Sequence, residues 1–234
     1  GMKLMSESLD TIGVIARSVA DCALLAQAVS GVELGEPQRG TGWVPRIGVC
    51  RSPMWARCDA DTEGLLETAA AALARQGAAV RDFELPAAFA PLEDAHTLVM
   101  NAESARSLGW EMTTARSQLS DGLREKMEWG LAQPAPALLD ARAVFARLQA
   151  GVGAAMEEFD ILITPSAPGV APVGLAWTGD ASFNLLWTAL HVPCVTVPAG
   201  TGAGGMPLGL QIVAPRFEDR AALAGAAWVQ AALG

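Results

Sequence analysis

The sequence has 234 residues, of which 51% are hydrophobic, and its 25 acidic and 16 basic side chains give a net charge of −9. That length supports one substantial core, and residues 1–234 read as a single domain. An acidic balance with no Lys/Arg stripe argues against a nucleic-acid surface, and no run approaches the roughly 18–20 apolar residues of a membrane helix.

The first residues turn polar at Lys3, Ser6 and Glu7, so no secretory signal is read. Gly1 before Met2 reads as a tag remnant, with Met2 the expected natural start. Cys22, Cys50, Cys58 and Cys194 are scattered with no CxxC, which fits free thiols in a cytoplasmic protein better than disulfides or zinc. Two histidines offer no His-rich metal site, and neither a metal nor another cofactor is expected.

The first predicted helix starts at Ser18, an N-cap with Asp21 three residues on. Val19, Cys22, Ala23, Ala26 and Val29 follow at helical spacing, and Gly31 supplies the stop. A turn-rich stretch covers residues 35–45, and residues 46–50 read as a short buried strand. Asp59 or Asp61 caps the next helix, whose stripe is Leu66, Ala69 or Ala70, and Leu73, ending at Gly77. Residues 79–85 are a second strand, completing a βαβ unit of parallel strands.

Residues 91–159 read as several helices interrupted at Pro134 and Pro136. The stretch 137–158 is amphipathic through Leu138, Ala141, Phe145, Leu148, Val152 and Met156. Residues 160–164 form a strand that stops at Pro165, and 182–190 a helix. Strands at 194–197 and 208–214 and a closing helix at 218–232 complete the chain. The expected fold class is α/β, a mixed β-sheet flanked by helices.

The glycine-rich loop from Gly200 to Gly205 invites a phosphate-binding reading. Such a loop must feed a helix N-terminus; this one enters a strand through Met206 and Pro207 with no nearby Lys, so it reads as a wide hairpin. Glu157, Glu158 and Asp160 could pair as acid and base, but sit where a solvated helix end is expected. His96 and His191 lack a neighbouring motif that would make either a general base, so both read as structural. Trp177 and Trp187 lie near turns after strand ends, with core packing the default for each.

Three blocks carry a resemblance. Ser6-Glu7-Ser8-Leu9-Asp10-Thr11-Ile12-Gly13, continuing through Ala16-Arg17-Ser18-Val19-Ala20-Asp21, resembles the segment S-x-D-T-x-G-x-x-A-R-S-V-x-D of the amidase signature family. Asp160-Ile161-Leu162-Ile163-Thr164-Pro165 is similar to that family's D-x-L-x-x-P-T strand and turn, with Ser166 where Thr is usual. Phe183 to Leu190, Val192 to Gly200 and Pro207 to Val213 resemble its C-terminal block. One departure is His191, where the family tends to have Gly at the helix end: either the turn differs or the residue has a local role.

The resemblance implies the C-terminal portion of an enzyme that hydrolyses carboxylic amides with a Ser–Ser–Lys triad. In the family the triad and the oxyanion-hole loop precede the stretch matching Ser6, so no catalytic residue is assigned here. Lys3 and Lys126 are the only lysines, and none of the eleven serines has a Gly-Gly-Ser-Ser setting. By resemblance, Thr164, Pro165, Asp180, Asn184 and Trp187 are substrate-pocket candidates. The expected partner is a chain supplying the missing half or a second copy in a homo-oligomer such as a dimer, with a small amide as substrate only if the site is completed. A non-catalytic self-associating or partner-binding domain from a truncated gene, and a portion of an intact amidase, stay open as alternatives.

Overall fold

A computed structural model describes residues 1–37, 40 and 42–234. The part of the turn-rich stretch that falls on Gln38, Arg39 and Thr41 lies outside the described residues. Five strands make one sheet: β1 (Arg46–Cys50), β2 (Ala79–Phe83), β3 (Ile161–Pro165), β4 (Cys194–Thr201) and β5 (Pro207–Val213). Their order is β2-β1-β3-β5-β4. β1 runs parallel to β2 and β3, while β5 is antiparallel to both β3 and β4, so the sheet is mixed as expected.

The helices are α1 (Val19–Ser30), α2 (Ala60–Arg75), α3 (Leu92–Ser107), α4 (Gly109–Thr114), α5 (Asp121–Leu131), α6 (Ala135–Ala155), α7 (Ser182–Leu190) and α8 (Asp219–Leu233). Their starts follow local chemistry. Ser18 Oγ accepts the Asp21 N–H at 3.1 Å, and Asp59 Oδ1 accepts the Thr62 N–H at 2.8 Å. Of the two candidate caps for α2, Asp59 takes the role, while Asp61 Oδ2 accepts the Ala203 N–H at 2.6 Å and steadies the β4–β5 hairpin.

β3 is buried over its whole length because its two faces meet different helical layers. Ile161 and Ile163 pack with α2 and α8 through Leu66, Leu73, Ala222 and Val229. Leu162 packs on the other side with α3, α6 and α7 through Val99, Phe145, Leu148 and Trp187. α6 reaches that layer because Leu138, Ala141, Phe145, Leu148 and Val152 recur every three or four residues.

The two edges are not alike. β2 ends the sheet on one side with Arg81 and Asp82 exposed, which discourages pairing with another chain. β4 ends the other side and runs to Thr201, longer than the expected 194–197 because the glycine-rich segment continues the pairing with β5. Its register shifts between Pro198 and Gly200, and Cys194, Thr196 and Pro198 stay exposed.

Gly225 marks where α8 lies closest to the sheet. A Cβ there would meet Ile161 Cγ2 at 2.7 Å and Ile161 Cδ1 at 3.0 Å. Ile161 is branched and fully buried, so it has little room to yield. Gly225→Ala should therefore destabilise the chain by about 1–3 kcal/mol, although Ala is the better helix former by about 1 kcal/mol. Urea unfolding monitored by circular dichroism measures this, and an unchanged or higher midpoint would contradict the packing described.

Candidate functional site

Three of the candidate pocket residues, Thr164, Pro165 and Asn184, meet at the carboxyl end of β3. Thr164 and Pro165 are its last two residues, and both are buried. α7 is tied to this end by Asn184, whose Nδ2 donates to the Ser166 carbonyl at 3.0 Å. Asp180 organises the approach to α7, its Oδ1 accepting the Ser182 N–H at 2.8 Å. Asn184 and Asp180 are half-buried and retain access to solvent. Trp187, one turn further on, is only 2% exposed and sits in the core cluster, where it can form a floor but not a wall. Trp177 departs from its expected core role: it is 62% exposed, on the open loop before α7.

Several buried polar atoms here have no hydrogen-bond partner among the described residues: Thr164 Oγ1, Gln211 Nε2, Ser182 Oγ and the Trp187 indole N–H. Thr164 and Gln211 are opposite one another in the β3–β5 register. Folded proteins rarely leave such groups unpaired, because an unmet buried donor costs about 1–3 kcal/mol. Their gathering at α7 and the β3–β5 pair distinguishes this end of the sheet.

A polar cluster that sequence reasoning missed is centred on α3. Glu103 on α3 is 5% exposed. Its carboxylate accepts Ser6 Oγ at 2.7 Å, the Ser8 N–H at 2.9 Å, Ser8 Oγ at 2.6 Å and an Arg142 guanidinium N–H at 2.7 Å. Burial pushes the Glu103 pKa up, but the hydrogen bonds from Ser8, Arg142 and Ser6 outweigh it and hold the carboxyl below its ordinary value. The sequence does carry a signal: Glu103 is the sole carboxylate between Asp94 and Glu111, in a run dominated by small and apolar residues.

His191 also has an assignable role. It ends α7 in the left-handed conformation, at φ 53° and ψ 42°, so the glycine-like turn is kept. Its Nε2 lies 2.8 Å from the Ser8 carbonyl. That oxygen only accepts, so Nε2 carries the hydrogen. The other groups weighed as bases make the following contacts. Burial lowers the pKa of His96 inside α3, and Asp160 bonds the Arg46 backbone N–H and guanidinium at 2.8–3.3 Å. Glu158 pairs with Arg81 on the surface at 3.3 Å.

Two clefts lie elsewhere. One of about 320 Å³ is lined by Arg51, Pro53, Asp82, Phe83, Glu84 and Leu85, and another of about 380 Å³ lies between β4 and the end of α8. Neither is lined by a candidate pocket residue, and the Arg51 guanidinium is already held by Glu67 and Asp82 at 2.6 Å each. Among the described residues, no group of three or more His, Cys, Asp or Glu side chains is arranged to hold a metal, and no helix is long and apolar enough to cross a membrane.

A mixed sheet with the pocket candidates at the end of its buried central strand fits the class of amide hydrolases that the three sequence blocks resemble. The amidase family model matches residues 1–223, and the chain belongs to that family. It is 28% identical to 2-amino-5-chloromuconic acid deaminase of Comamonas testosteroni, over 100% of this chain and 54% of that protein. It is 30% identical to a glutamyl-tRNA(Gln) amidotransferase subunit of Thermus thermophilus, over 96% of this chain and 56% of that one. A crystal structure of an amidase superposes with a TM-score of 0.86 at 26% identity, covering 99% of this chain and 55% of that one. The chain thus spans about half the length of the relatives it matches.

The Glu103 cluster makes a pH prediction. Its folded pKa lies below the unfolded one, so it contributes stability above the ordinary carboxylate pKa and loses it as pH falls through the depressed value. Limited proteolysis within residues 4–10 should accelerate below about pH 4. Glu103→Ala should lower the unfolding free energy by about 2–4 kcal/mol and remove that acid dependence. A variant that keeps the wild-type acid profile would show that another group controls the segment.

Proposed function

We propose that these residues form the C-terminal portion of an amidase-type hydrolase of carboxylic amides, contributing one side of the acyl pocket and needing further polypeptide for catalysis. Thr164, Pro165, Asp180 and Asn184 would line that side, with Trp187 as its floor. The observation that carries the reading is the position of the two lysines. Lys3 is ion-paired with Glu111 at the surface, and Lys126 is exposed on α5. Among the described residues, no hydrogen bond or ion pair links either lysine to a candidate pocket residue, and a serine without a base to activate it is a poor nucleophile at neutral pH. A cytoplasmic setting fits four free cysteines, and the acidic charge gives no support to RNA contacts by this chain.

The test is complementation. The chain alone should hydrolyse neither aryl nor aliphatic amides. Adding the N-terminal half of an amidase relative should restore turnover, and replacing the lysine of that half should abolish it. Turnover by the chain alone that survives replacement of its serines would sink the proposal.

A second reading, self-association, is favoured by α1. This helix buries Val19 and Ala23 but leaves Leu24 63%, Leu25 45% and Val29 62% exposed. No charged residue lies between Asp21 and Glu33. A helix apolar on both sides is normally covered on both. Sedimentation of the chain should show a dimer or larger species, and Leu24→Glu with Val29→Glu should shift it to monomer. Monomeric wild-type chain across a hundredfold concentration range would rule this reading out.

A further inference from the structure

The cluster around Glu103 does more than pin a terminus, because its last member caps the pocket helix. From Arg142 on α6 the contacts run to Glu103 on α3, then to Ser8, and from the Ser8 carbonyl to His191 at the end of α7. Ser6 Oγ adds a second hold on the same carboxylate, and the Ser6 carbonyl accepts the Leu9 and Asp10 N–H groups at 3.0 and 2.8 Å, closing a turn around Ser8. Ser8 is thus held from both sides: its N–H and hydroxyl by Glu103, its carbonyl by His191.

We propose that Glu103 is a positioning residue for α7: by fixing Ser8 it fixes His191, so the segment 6–10 sets the placement of the helix that carries Asn184 and Trp187. This rests on the reading that α7 borders the acyl pocket. The left-handed turn at His191 supports it. An L-residue is strained there, where glycine is not. The imidazole contact to Ser8 is a gain that glycine could not provide. It adds a tether from segment 6–10 to the hold that Gln149 Nε2 on α6 already has on the Ala189 carbonyl at 2.8 Å. Asn184 holds the start of α7 through the Ser166 carbonyl, so the helix is anchored near both ends by groups outside itself.

The experiment uses the full chain and reads the link itself. Nitrogen NMR of labelled histidine at about pH 9, where an imidazole is neutral, reports which ring nitrogen carries the proton. His191 should be locked with its hydrogen on Nε2. In Glu103→Gln that signature should shift to a mixture of tautomers. Exchange of the His191 and Val192 amides, which bond Thr188 and Trp187 carbonyls, should quicken roughly five- to tenfold, the size of one lost hydrogen bond. The double variant Ser6→Ala with Ser8→Ala leaves the carboxylate satisfied by Arg142 and the Ser8 N–H, and should move both readouts in the same direction by less. It carries the test if Glu103→Gln does not fold. Faster exchange at Ser8 with an unchanged His191 tautomer and unchanged α7 exchange would overturn the proposal, leaving Glu103 as an anchor of the terminus only; so would no change at any of these positions. No substrate is involved, so failed hydrolysis in the complementation assay and a failed link are separate results.

Discussion

Five residues, Ile161 to Pro165, must lie in a place with no solvent on either side, and most of the architecture answers that requirement. A strand so buried has to pair on both edges and be covered on both faces. β1 and β5 supply the edges, and the α2–α8 and α3–α6–α7 layers supply the faces. Side chains alternate along a strand, so Leu162 and Thr164 project toward the layer that contains α7. The apolar run ends on that face in Thr164, a hydroxyl with no partner among the described residues. The candidate-site end of β3 is therefore where its burial pattern changes from hydrocarbon to a polar atom with no partner among the described residues.

Much of the fold was legible because it is written locally. Ser18 and Asp59 cap helices through their own side chains, Gly31 takes the left-handed stop, and the α6 stripe follows directly from residue spacing. β3 was legible from its apolar run and the proline after it. The extent of β4 was not, since Pro198 and Gly200 resemble loop chemistry until β5 pairs with them.

The candidate site divides along the same line. Thr164, Asp180 and Asn184 stand out by resemblance, and the last two make short local contacts, Asn184 to the Ser166 carbonyl and Asp180 to the Ser182 N–H. Glu103 could not be placed because its partners Ser6 and Ser8 lie 97 and 95 residues away in the chain. His191 posed a choice between an altered turn and a local role. The turn is kept and the ring bonds the Ser8 carbonyl, a contact 183 residues away in sequence that no local pattern announces. Trp177 reads as core by composition, yet it is exposed because its loop runs clear of the helical layers.

The irregularity in β4 has a bearing on what can join this sheet. Pro198 has no N–H to offer, and the register shift beside it bends the strand. A flat strand would find a broken ladder there, which discourages edge-to-edge pairing. The missing donor and the bend thus blunt this edge by backbone geometry, where β2 at the opposite edge is blunted by the exposed charges of Arg81 and Asp82.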